Sequence, residues 1–506
     1  MQILLRGVSF AYRDSVPLLS DVNLRLGPGW TGVVGANGSG KTTLLRLIAR
    51  ALEPEQGSVQ HEPRTLELRL CPQRVDDASP EIEALAATHD GVARRLRAQL
   101  ALREEELARW PTLSPGERKR WQIGAALAAR PSLLILDEPT NHLDAEARAV
   151  LVPVLERFAG IGVLVSHDRE LLDALSRETV RVARGRATPY RGSYTAARQT
   201  WQHDEAALRA EHASLRDATR ALERRIGERQ TDFKHAEARM RTSKRMKGIH
   251  DSSARGRFKQ TRRRSAMTQI GHEIARTHSV LERTREKLDA IELGKDVGRD
   301  LYLDFTPAKA ARLAVVQAAQ IRAGERVLLE RVDLAFERGS RVWLRGANGS
   351  GKTTLLQAFA RAASVAPERL LLLPQELGAA HERALLDEAR ALGADARGRL
   401  MALVAALGVE PRALLASAQP SPGEARKLAI ALGLSRQVYG CLLDEPTNHL
   451  DLPSIERLES ALASYPGALL LVTHDARLAA RCTNVSWRVA DRSIVVASEP
   501  AASDRL

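Results

Sequence analysis

The chain has 506 residues, 44% of them hydrophobic and 27% charged, and its formal net charge is +14 at pH 7. This composition excludes a disordered chain, and the length predicts about three domains. The basic excess predicts a polyanionic partner, nucleic acid or an anionic membrane surface, although a general bias towards arginine would produce the same charge. No run of 18 apolar residues occurs and the N-terminus lacks a signal-peptide pattern, so we expect a cytoplasmic protein without a membrane domain.

The first predicted element with a chemical signature is a strand, TGVVG, that leads into the loop GANGSGKTT and an amphipathic helix. This is the order of a P-loop, whose glycines let backbone N–H groups face a β-phosphate. The lysine neutralises phosphate oxygens, and the next threonine can hold Mg²⁺. The loop recurs 311 positions later. The predicted ATP-binding residues are Gly35, Asn37, Gly38, Ser39, Gly40, Lys41, Thr42 and Thr43, and Gly346, Asn348, Gly349, Ser350, Gly351, Lys352, Thr353 and Thr354.

A second motif, Ser-Pro-Gly-Glu, follows each loop and repeats at an offset of 307. Serine is favoured at a helix N-cap and proline at the first helical position, so each motif predicts the start of a helix. A free helix N-terminus suits a γ-phosphate. This adds Ser114, Gly116, Ser421 and Gly423 to the predicted ATP-binding residues.

A third motif, LLILDE in the first copy and CLLDE in the second, predicts a buried strand that ends in two acids. Acids at the carboxyl end of such a strand belong to a site rather than to a core. We expect Asp137 and Asp444 to hold Mg²⁺, and Glu138 and Glu445 to polarise the water that attacks ATP.

The segment between the two copies predicts long helices, because it is rich in Arg, Glu, Ala and Gln and has no proline before Pro307. Leucines and isoleucines recur seven apart, at Leu208, Leu215 and Leu222 and at Ile274, Leu281 and Leu288, which predicts an antiparallel coiled hairpin. Gly248 and Gly256 are expected to break the helices at its tip.

The predicted tip, residues 239–264, contains eleven basic residues and one acid, Asp251. A solvated charged surface would explain such a run, but its position at an exposed tip favours contact with a phosphate backbone. The predicted RNA-contacting residues are Arg239, Arg241, Lys244, Arg245, Lys247, Arg255, Arg257, Lys259, Arg262, Arg263 and Arg264.

With these motifs, the whole chain resembles the ATP-binding cassette superfamily, and more narrowly its class F, in which two fused cassettes lack membrane domains. The runs from Pro139 to Asp144 and from Pro446 to Asp451 are typical of class F. The resemblance implies an α/β fold of two tandem P-loop cassettes, each with a RecA-like core, a helical signature subdomain and a β-subdomain, joined by a helical hairpin. We expect a first cassette at 1–195, a linker at 196–305 and a second cassette at 306–506.

The resemblance also implies a monomer with an intramolecular, head-to-tail sandwich that binds two ATP with Mg²⁺. Ser114 is then expected to complete the site built on Lys352, and Ser421 the site built on Lys41. Pro115 and Pro422 replace the family's usual glycine, yet the start of a helix is still predicted.

Further site residues follow from the resemblance alone. It gives Gln73 and Gln375 roles in metal binding and catalysis, makes His167 and His474 switch histidines at the γ-phosphate, and stacks Tyr12 on adenine. The second copy has no aromatic residue near Arg322, so we expect a guanidinium there or no stacking at all.

As a family, class F proteins act on the ribosome at the tRNA exit site, with the linker pointing to the P-site tRNA and the peptidyl transferase centre. The basic tip suits rRNA or tRNA phosphates. The resemblance favours ribosome protection against antibiotics, with a housekeeping translation factor as the alternative. Two other classes stay open: the ATPase subunit of a drug exporter and a DNA-directed repair ATPase.

Overall fold

The computed structural model describes residues 1–12, 17–140, 143, 145–245, 254–290 and 305–498. The chain divides into two compact units. One consists of Met1–Ala197 and Val297–Leu506, and the other of Arg198–Asp296. Both P-loops therefore lie in the same unit, whereas the domain boundaries predicted above stay predictions.

The first cassette has a three-stranded antiparallel sheet, ordered β2-β1-β4, and a six-stranded sheet, ordered β5-β6-β7-β3-β8-β9. In the larger sheet only the β8–β9 pair is antiparallel. The elements are β1 (Gln2–Phe10), β2 (Leu19–Leu26), β3 (Gly29–Gly35), α1 (Lys41–Ile48), β4 (Gln56–Glu62), β5 (Leu68–Cys71), α2 (Pro80–Ala87), α3 (Gly91–Gln99), a 3₁₀ helix (Glu104–Thr112), α4 (Pro115–Ala128), β6 (Leu133–Asp137), α5 (Ala145–Glu156), β7 (Ile161–Val165), α6 (Arg169–Leu175), β8 (Ser176–Ala183) and β9 (Arg186–Arg191).

The linker consists of two helices, α7 (Tyr194–Arg245) and α8 (Ala254–Ala290). Arg225 and Arg229 of α7 lie 3.0 and 3.4 Å from Glu273 of α8, and Arg285 of α8 pairs with Glu223 of α7. Later residues of α7 thus meet earlier residues of α8, which confirms the helical hairpin.

The less exposed side chains of both helices follow the alternating three- and four-residue spacing of a coiled coil. They include Leu215, Thr219, Leu222 and Ile226 in α7, and Ile270, Ile274, Thr277, Leu281, Thr284 and Leu288 in α8. Two predictions were wrong. Leu208 is 44% exposed, and Gly256 lies inside α8 instead of breaking it, because a glycine costs a helix only about 1 kcal/mol.

The side chains of the predicted RNA contact are not among those that the structure describes. Lys247 is outside the described residues, and the side chains of the other ten basic residues are not described. Gly248 and Asp251 are not described either. Contact of the tip with RNA therefore stays a prediction. No helix in the described part of the chain is long and apolar enough to cross a membrane.

The second cassette repeats the larger sheet, ordered β13-β14-β15-β12-β16-β17, next to a two-stranded sheet of β10 and β11. Its elements are β10 (Arg312–Ala323), β11 (Arg326–Glu337), β12 (Arg341–Gly346), α9 (Lys352–Arg361), a 3₁₀ turn (Pro367–Arg369), β13 (Leu370–Leu373), α10 (Ala379–Ala391), α11 (Ala394–Ala406), α12 (Pro411–Ala416), α13 (Pro422–Ser435), β14 (Gly440–Asp444), α14 (Leu452–Ser464), β15 (Ala468–Val472), α15 (Ala476–Cys482), β16 (Val485–Ala490) and β17 (Ser493–Ser498).

The central strands β6, β7, β14 and β15 are buried along their whole length. Continuous apolar runs such as LLILD are what a parallel sheet covered on both faces requires. Each P-loop follows β3 or β12 and each pair of acids ends β6 or β14, so both features lie at the carboxyl edge of one parallel sheet with a single strand between them. Ligands of such sheets bind at this edge. These features confirm the predicted α/β fold with tandem P-loop cassettes.

Two candidate nucleotide sites at the seam between the cassettes

Each P-loop curls through left-handed glycines. Gly38 and Gly40 have φ of 75° and 99°, and Gly349 and Gly351 have φ of 74° and 103°. Only glycine adopts such angles at little cost, which explains why these positions lack side chains. This curled backbone is the geometry in which N–H groups of a loop and of the following helix face an anion.

The P-loop lysines bridge their own loops. Lys41 Nζ donates to the carbonyl oxygens of Gly35 and Ala36 at 2.9 and 3.0 Å, and Lys352 Nζ does the same with Gly346 and Ala347 at 2.8 and 3.0 Å. Burial lowers the pKa of Lys41. Each ammonium group therefore spans a loop that can receive phosphate.

The predicted metal ligands converge in both copies. Thr42 Oγ1 donates to Asp137 Oδ2 at 3.2 Å, and Thr353 Oγ1 donates to Asp444 Oδ2 at 2.6 Å. Burial raises the pKa of both carboxyl groups. A hydroxyl beside a carboxylate fits Mg²⁺, which binds few protein oxygens and takes its remaining ligands from phosphate and water.

The two predicted catalytic glutamates adopt the same unusual backbone conformation. Glu138 and Glu445 have φ of 49° and 45°, a region that costs a residue other than glycine about 1–3 kcal/mol. Their N–H groups donate to Val165 and Val472 of the neighbouring strands, both at 2.8 Å. The strain recurs in both copies and aims each carboxylate at its switch histidine.

Each switch histidine contacts the glutamate of its own cassette. The His167 N–H donates to Glu138 Oε2 at 3.1 Å, and its Nε2 lies 3.2 Å from Oε1. The corresponding distances from His474 to Glu445 are 3.3 and 3.5 Å. Burial raises the pKa of Glu445 to about 8. Each histidine thus contacts the carboxylate that is expected to polarise water.

The signature serines cap helices α4 and α13, as predicted. Ser114 Oγ accepts from the Glu117 N–H, and the Glu117 side chain accepts from the Ser114 N–H; Ser421 and Glu424 form the same capping box. Pro115 and Pro422 occupy the first helical positions. Because proline has no N–H, Gly116 and Gly423 supply the first backbone donors of these helices.

The first P-loop touches the second cassette directly. The Asn37 N–H donates to Asp451 Oδ2 at 2.6 Å, and Asn37 Nδ2 donates to the His449 carbonyl at 3.3 Å. Asp451 is buried, and burial alone would raise its pKa, but hydrogen bonds from Ser454 and Asn37 outweigh this effect and lower the pKa. The corresponding residues of the first cassette, His142 and Asp144, lie outside the described residues.

Residues of both cassettes line a cleft of about 1150 Å³. It lies at the contact between the cassettes, to which the Asn37–Asp451 bond belongs and which we call the seam. Its lining includes Asn37, Pro115 and Arg118 of the first cassette and Lys352, Ser421 and Gly423 of the second. The predicted site residues that line it are Asn37, Gly38, Gln73, Glu138, His167, Asn348, Gly349, Gly351, Lys352, Thr353, Thr354, Gln375, Ser421, Gly423, Asp444, Glu445 and His474. The lining does not include Tyr12, Gly35, Ser39, Gly40, Lys41, Thr42, Thr43, Ser114, Gly116, Asp137, Gly346 or Ser350.

The two sites differ where adenine stacking was predicted. The Tyr12 ring is 60% exposed, packs edge-on against Phe10, and holds its hydroxyl 3.2 Å from Thr43 Oγ1. In the second cassette the cleft is lined by Ala323, Arg326 and Leu328. Arg326 therefore places a guanidinium of the second cassette on this lining, whereas stacking of a guanidinium on adenine stays a prediction.

The sequence did not predict two buried cations, Lys119 and Arg426. Lys119 Nζ donates to the carbonyls of Pro72 and Asp137, and Arg426 donates to those of Gln375 and Glu445. Burial lowers the pKa of Lys119 to about 8. Lys119 thus bonds helix α4 to the residue before Gln73 and to the end of β6. Arg426 bonds helix α13 to Gln375 and to Glu445, which follows β14. Their shared offset of 307 was the signal that could have revealed them.

The seam also reaches the first residues of helix α7. Tyr194 OH donates to Glu456 Oε1 of the second cassette at 2.6 Å. Thr195 donates to Asp173 of the first cassette and accepts from Arg477 of the second. The first turn of the linker helix is thus bonded to both cassettes.

Paired P-loops, catalytic acids and capped signature helices along one seam define a tandem P-loop ATPase.

Comparison with known proteins extends this assignment. The sequence model of the ABC transporter family matches residues 19–141 and 329–448, once in each cassette. The tylosin resistance ATP-binding protein TlrC of Streptomyces fradiae is 32% identical, over 95% of this chain and 96% of its own. The ribosome protection protein VmlR of Bacillus subtilis is 28% identical over 97% and 87%. The energy-dependent translational throttle protein EttA of Mycobacterium tuberculosis is 29% identical over 96% and 90%.

The chain therefore belongs to the ATP-binding cassette superfamily and, within it, to class F. It is an ATP-hydrolysing enzyme.

Proposed function

We propose that this ATPase binds the ribosome in its ATP state near the tRNA exit site, and that its linker acts on the P-site tRNA and the peptidyl transferase centre to protect the ribosome against antibiotics. The observation that carries the proposal is the similarity to a resistance protein, which extends over 95% of this chain. A relative named for ribosome protection covers 97% of it. We expect the chain to work in the cytoplasm as a monomer, with cassettes at 1–195 and 306–506 and a linker at 196–305.

In the proposed sites the seam binds two ATP. Lys41 and Lys352 neutralise phosphate oxygens. Mg²⁺ would supply positive charge to offset the negative charge that develops on the phosphate oxygens. Thr42 and Asp137 would hold it in the first site with Gln73, and Thr353 and Asp444 in the second with Gln375. Ser421 and Gly423 complete the first site, while Ser114 and Gly116 complete the second.

The catalytic step needs an ionised glutamate next to the attacking water. Glu138 and Glu445 are proposed to polarise this water, and His167 and His474 to turn from the glutamates towards the γ-phosphate. Because both cassettes contact each γ-phosphate, its loss weakens the contacts across the seam. Hydrolysis therefore shifts the equilibrium between the closed and the separated arrangement of the cassettes. The helix bonded to both cassettes through Tyr194 and Thr195 supports transfer of this motion to the linker.

The proposed RNA contact rests on charge. The chain carries a formal net charge of +14, and eleven basic residues fall within 239–264. Such a cluster suits the phosphates of rRNA or tRNA and predicts binding that weakens as salt rises.

A housekeeping translation factor is the second candidate, because the translational throttle protein of Mycobacterium tuberculosis is similar over 96% of this chain. The two candidates share the ribosome and the ATP cycle. They differ in whether a ribosome-targeting drug is needed for an effect.

The first experiment is cosedimentation with 70S ribosomes. A Glu138→Gln/Glu445→Gln variant should bind ATP without hydrolysing it and pellet with ribosomes when ATP is present. The matched control, Lys41→Ala/Lys352→Ala, should stay in the supernatant because it lacks the phosphate-binding amines. Equal pelleting of both variants, or of neither, would refute the proposal.

A drug-susceptibility panel then separates the two candidates. A host that expresses the wild-type chain should become less susceptible to at least one ribosome-targeting drug, and the Glu138→Gln/Glu445→Gln variant should not confer this change. Unchanged susceptibility to all such drugs would leave the translation factor as the better candidate.

A further inference from the structure

One buried arginine crosses the seam. Arg169 of the first cassette is 4% exposed. Its Nη1 donates to Glu459 Oε2 at 2.6 Å, and its Nη2 lies 3.0 and 2.8 Å from the two carboxylate oxygens of Asp475, both in the second cassette. Burial alone would lower the pKa of Arg169, but Asp475 and Glu459 outweigh it and raise the pKa. The guanidinium therefore stays charged, with both terminal nitrogens bonded across the seam.

Asp475 lies next to the switch histidine of the second cassette. Its Oδ1 accepts from the N–H groups of Arg477 and Leu478, both at 3.0 Å, and so caps helix α15. The preceding residue, His474, donates its N–H to Glu445. A continuous path of bonded contacts thus runs from Arg169 through Asp475 and His474 to Glu445.

The first cassette builds the same feature from its own residues. Asp168 caps helix α6 in the same way, and its Oδ2 lies 3.0 Å from Arg148 Nε of the same cassette. At the offset of 307, the counterparts of Arg148 and Arg169 are Ile455 and Ala476. Among the described residues, the first cassette therefore supplies a cation to both capping aspartates, and neither aspartate forms an ion pair with a cation of the second cassette.

From this asymmetry we infer that Arg169 is a positioning residue that acts in trans: it orients the His474 loop, and through it Glu445, only while the cassettes are in contact. Separation of the cassettes removes the guanidinium from Asp475 and leaves that carboxylate with only the two capping hydrogen bonds of helix α15, so the loop that carries His474 is held less firmly. Hydrolysis at the site built on Lys352 then depends directly on closure of the seam. The site built on Lys41 takes the corresponding cation, Arg148, from its own cassette.

The inference rests on the catalytic roles proposed for His474 and Glu445, and it can be tested without ribosomes. The assay is steady-state phosphate release by the purified full-length chain. Arg169→Ala should slow hydrolysis at the site built on Lys352 roughly 10-fold, since small misplacements at a catalytic centre cost one or two orders of magnitude. Total kcat should fall by only about half, because the site built on Lys41 keeps Arg148. The KM for ATP should change less than about 2-fold, because Arg169 contacts carboxylates and not the P-loops.

A mutant cycle distinguishes positioning from simple adhesion of the cassettes. In a His474→Gln background, Arg169→Ala should change kcat by less than about 2-fold further, because the residue through which it acts has already been removed. In a His167→Gln background, where the site built on Lys352 carries most of the turnover, the full loss of roughly 10-fold should appear in kcat. The matched control is Arg148→Ala. Its loss in kcat should be roughly 10-fold in the His474→Gln background and less than about 2-fold in the His167→Gln background.

Arg169→Lys keeps the charge in a variant that packs with less disturbance, and it should retain more activity than Arg169→Ala although lysine lacks the planar fork. Equal losses from Arg169→Ala in both histidine backgrounds would overturn the inference, because the arginine would then only hold the cassettes together. An unchanged kcat for Arg169→Ala would overturn it as well. Full activity of His474→Gln alone would refute the proposed role of that histidine, a failure visible before any arginine is changed.

Discussion

Substitution of Asp451 tests whether the first P-loop is held by the second cassette. Its Oδ1 caps helix α14 by accepting from the Ser454 N–H at 2.9 Å, and its Oδ2 accepts from the Asn37 N–H at 2.6 Å. Loss of an N-cap costs about 1 kcal/mol. Loss of a hydrogen bond to a charged group costs about 1.5–3 kcal/mol. Asp451→Ala should therefore destabilise the folded chain by about 2.5–4 kcal/mol.

Thermal unfolding without nucleotide measures this cost. For a unit of this size, 1 kcal/mol corresponds to roughly 1–2 °C, so Asp451→Ala should lower Tm by about 3–8 °C. Asp451→Asn is the matched control: asparagine caps a helix as well as aspartate does, and only the charge is lost, so its shift should be about half as large.

The pH dependence gives an independent check. The pKa of Asp451 is lowered in the folded chain, so its contribution is present above the unfolded pKa of about 3.9 and is lost as pH falls through the folded value. The difference in Tm between wild type and Asp451→Ala should thus be constant near neutral pH and shrink below about pH 4. A shift for Asp451→Ala smaller than about 1 °C at neutral pH would refute the reasoning about the seam.

Two further predictions concern buried groups. The pKa of Glu445 rises from 4.5 to about 8 on folding, so between these values the folded chain binds a proton that the unfolded chain has released. Its stability should fall as pH rises, by up to about 1.4 kcal/mol per unit. Glu445→Gln should flatten this slope in melts between pH 5.5 and 8.5, and parallel curves would contradict the assignment. Trp121 is fully buried and its Nε1 donates to Glu106 at 2.8 Å. Trp121→Phe should therefore lower the free energy of unfolding by about 1–3 kcal/mol in urea, and an unchanged midpoint would show that Glu106 finds another donor.

The parts of the fold that the sequence could predict depend on local chemistry. The loop GANGSGKTT fixes the positions that need left-handed backbone, and the structure places Gly38, Gly40, Gly349 and Gly351 in that region. The runs LLILD and GCLLD predict strands buried on both faces, and both are. Ser-Pro-Gly-Glu predicts a capped helix start, and both serines form capping boxes.

The parts that could not be predicted depend on residues far apart in the chain. Lys119 and Arg426 bond to backbone carbonyls, which carry no sequence signal of their own. Arg169 is an ordinary basic residue until the fold sets it beside Glu459, 290 positions later. The second cassette also has no counterpart of β4 among the described residues. From the P-loop lysine to the predicted glutamine the chain advances 32 positions in the first copy and only 23 in the second.

The bond between Tyr194 and Glu456 has a consequence for how the chain is made. The two residues are 262 positions apart, and a ribosome adds about 5–20 residues per second. For roughly 13–50 s the base of the first linker helix therefore exists without its partner, while the second cassette is still being synthesised. During that interval the first cassette lacks its contacts with the second, so the junction between cassette and linker is fixed only after Glu456 has been synthesised.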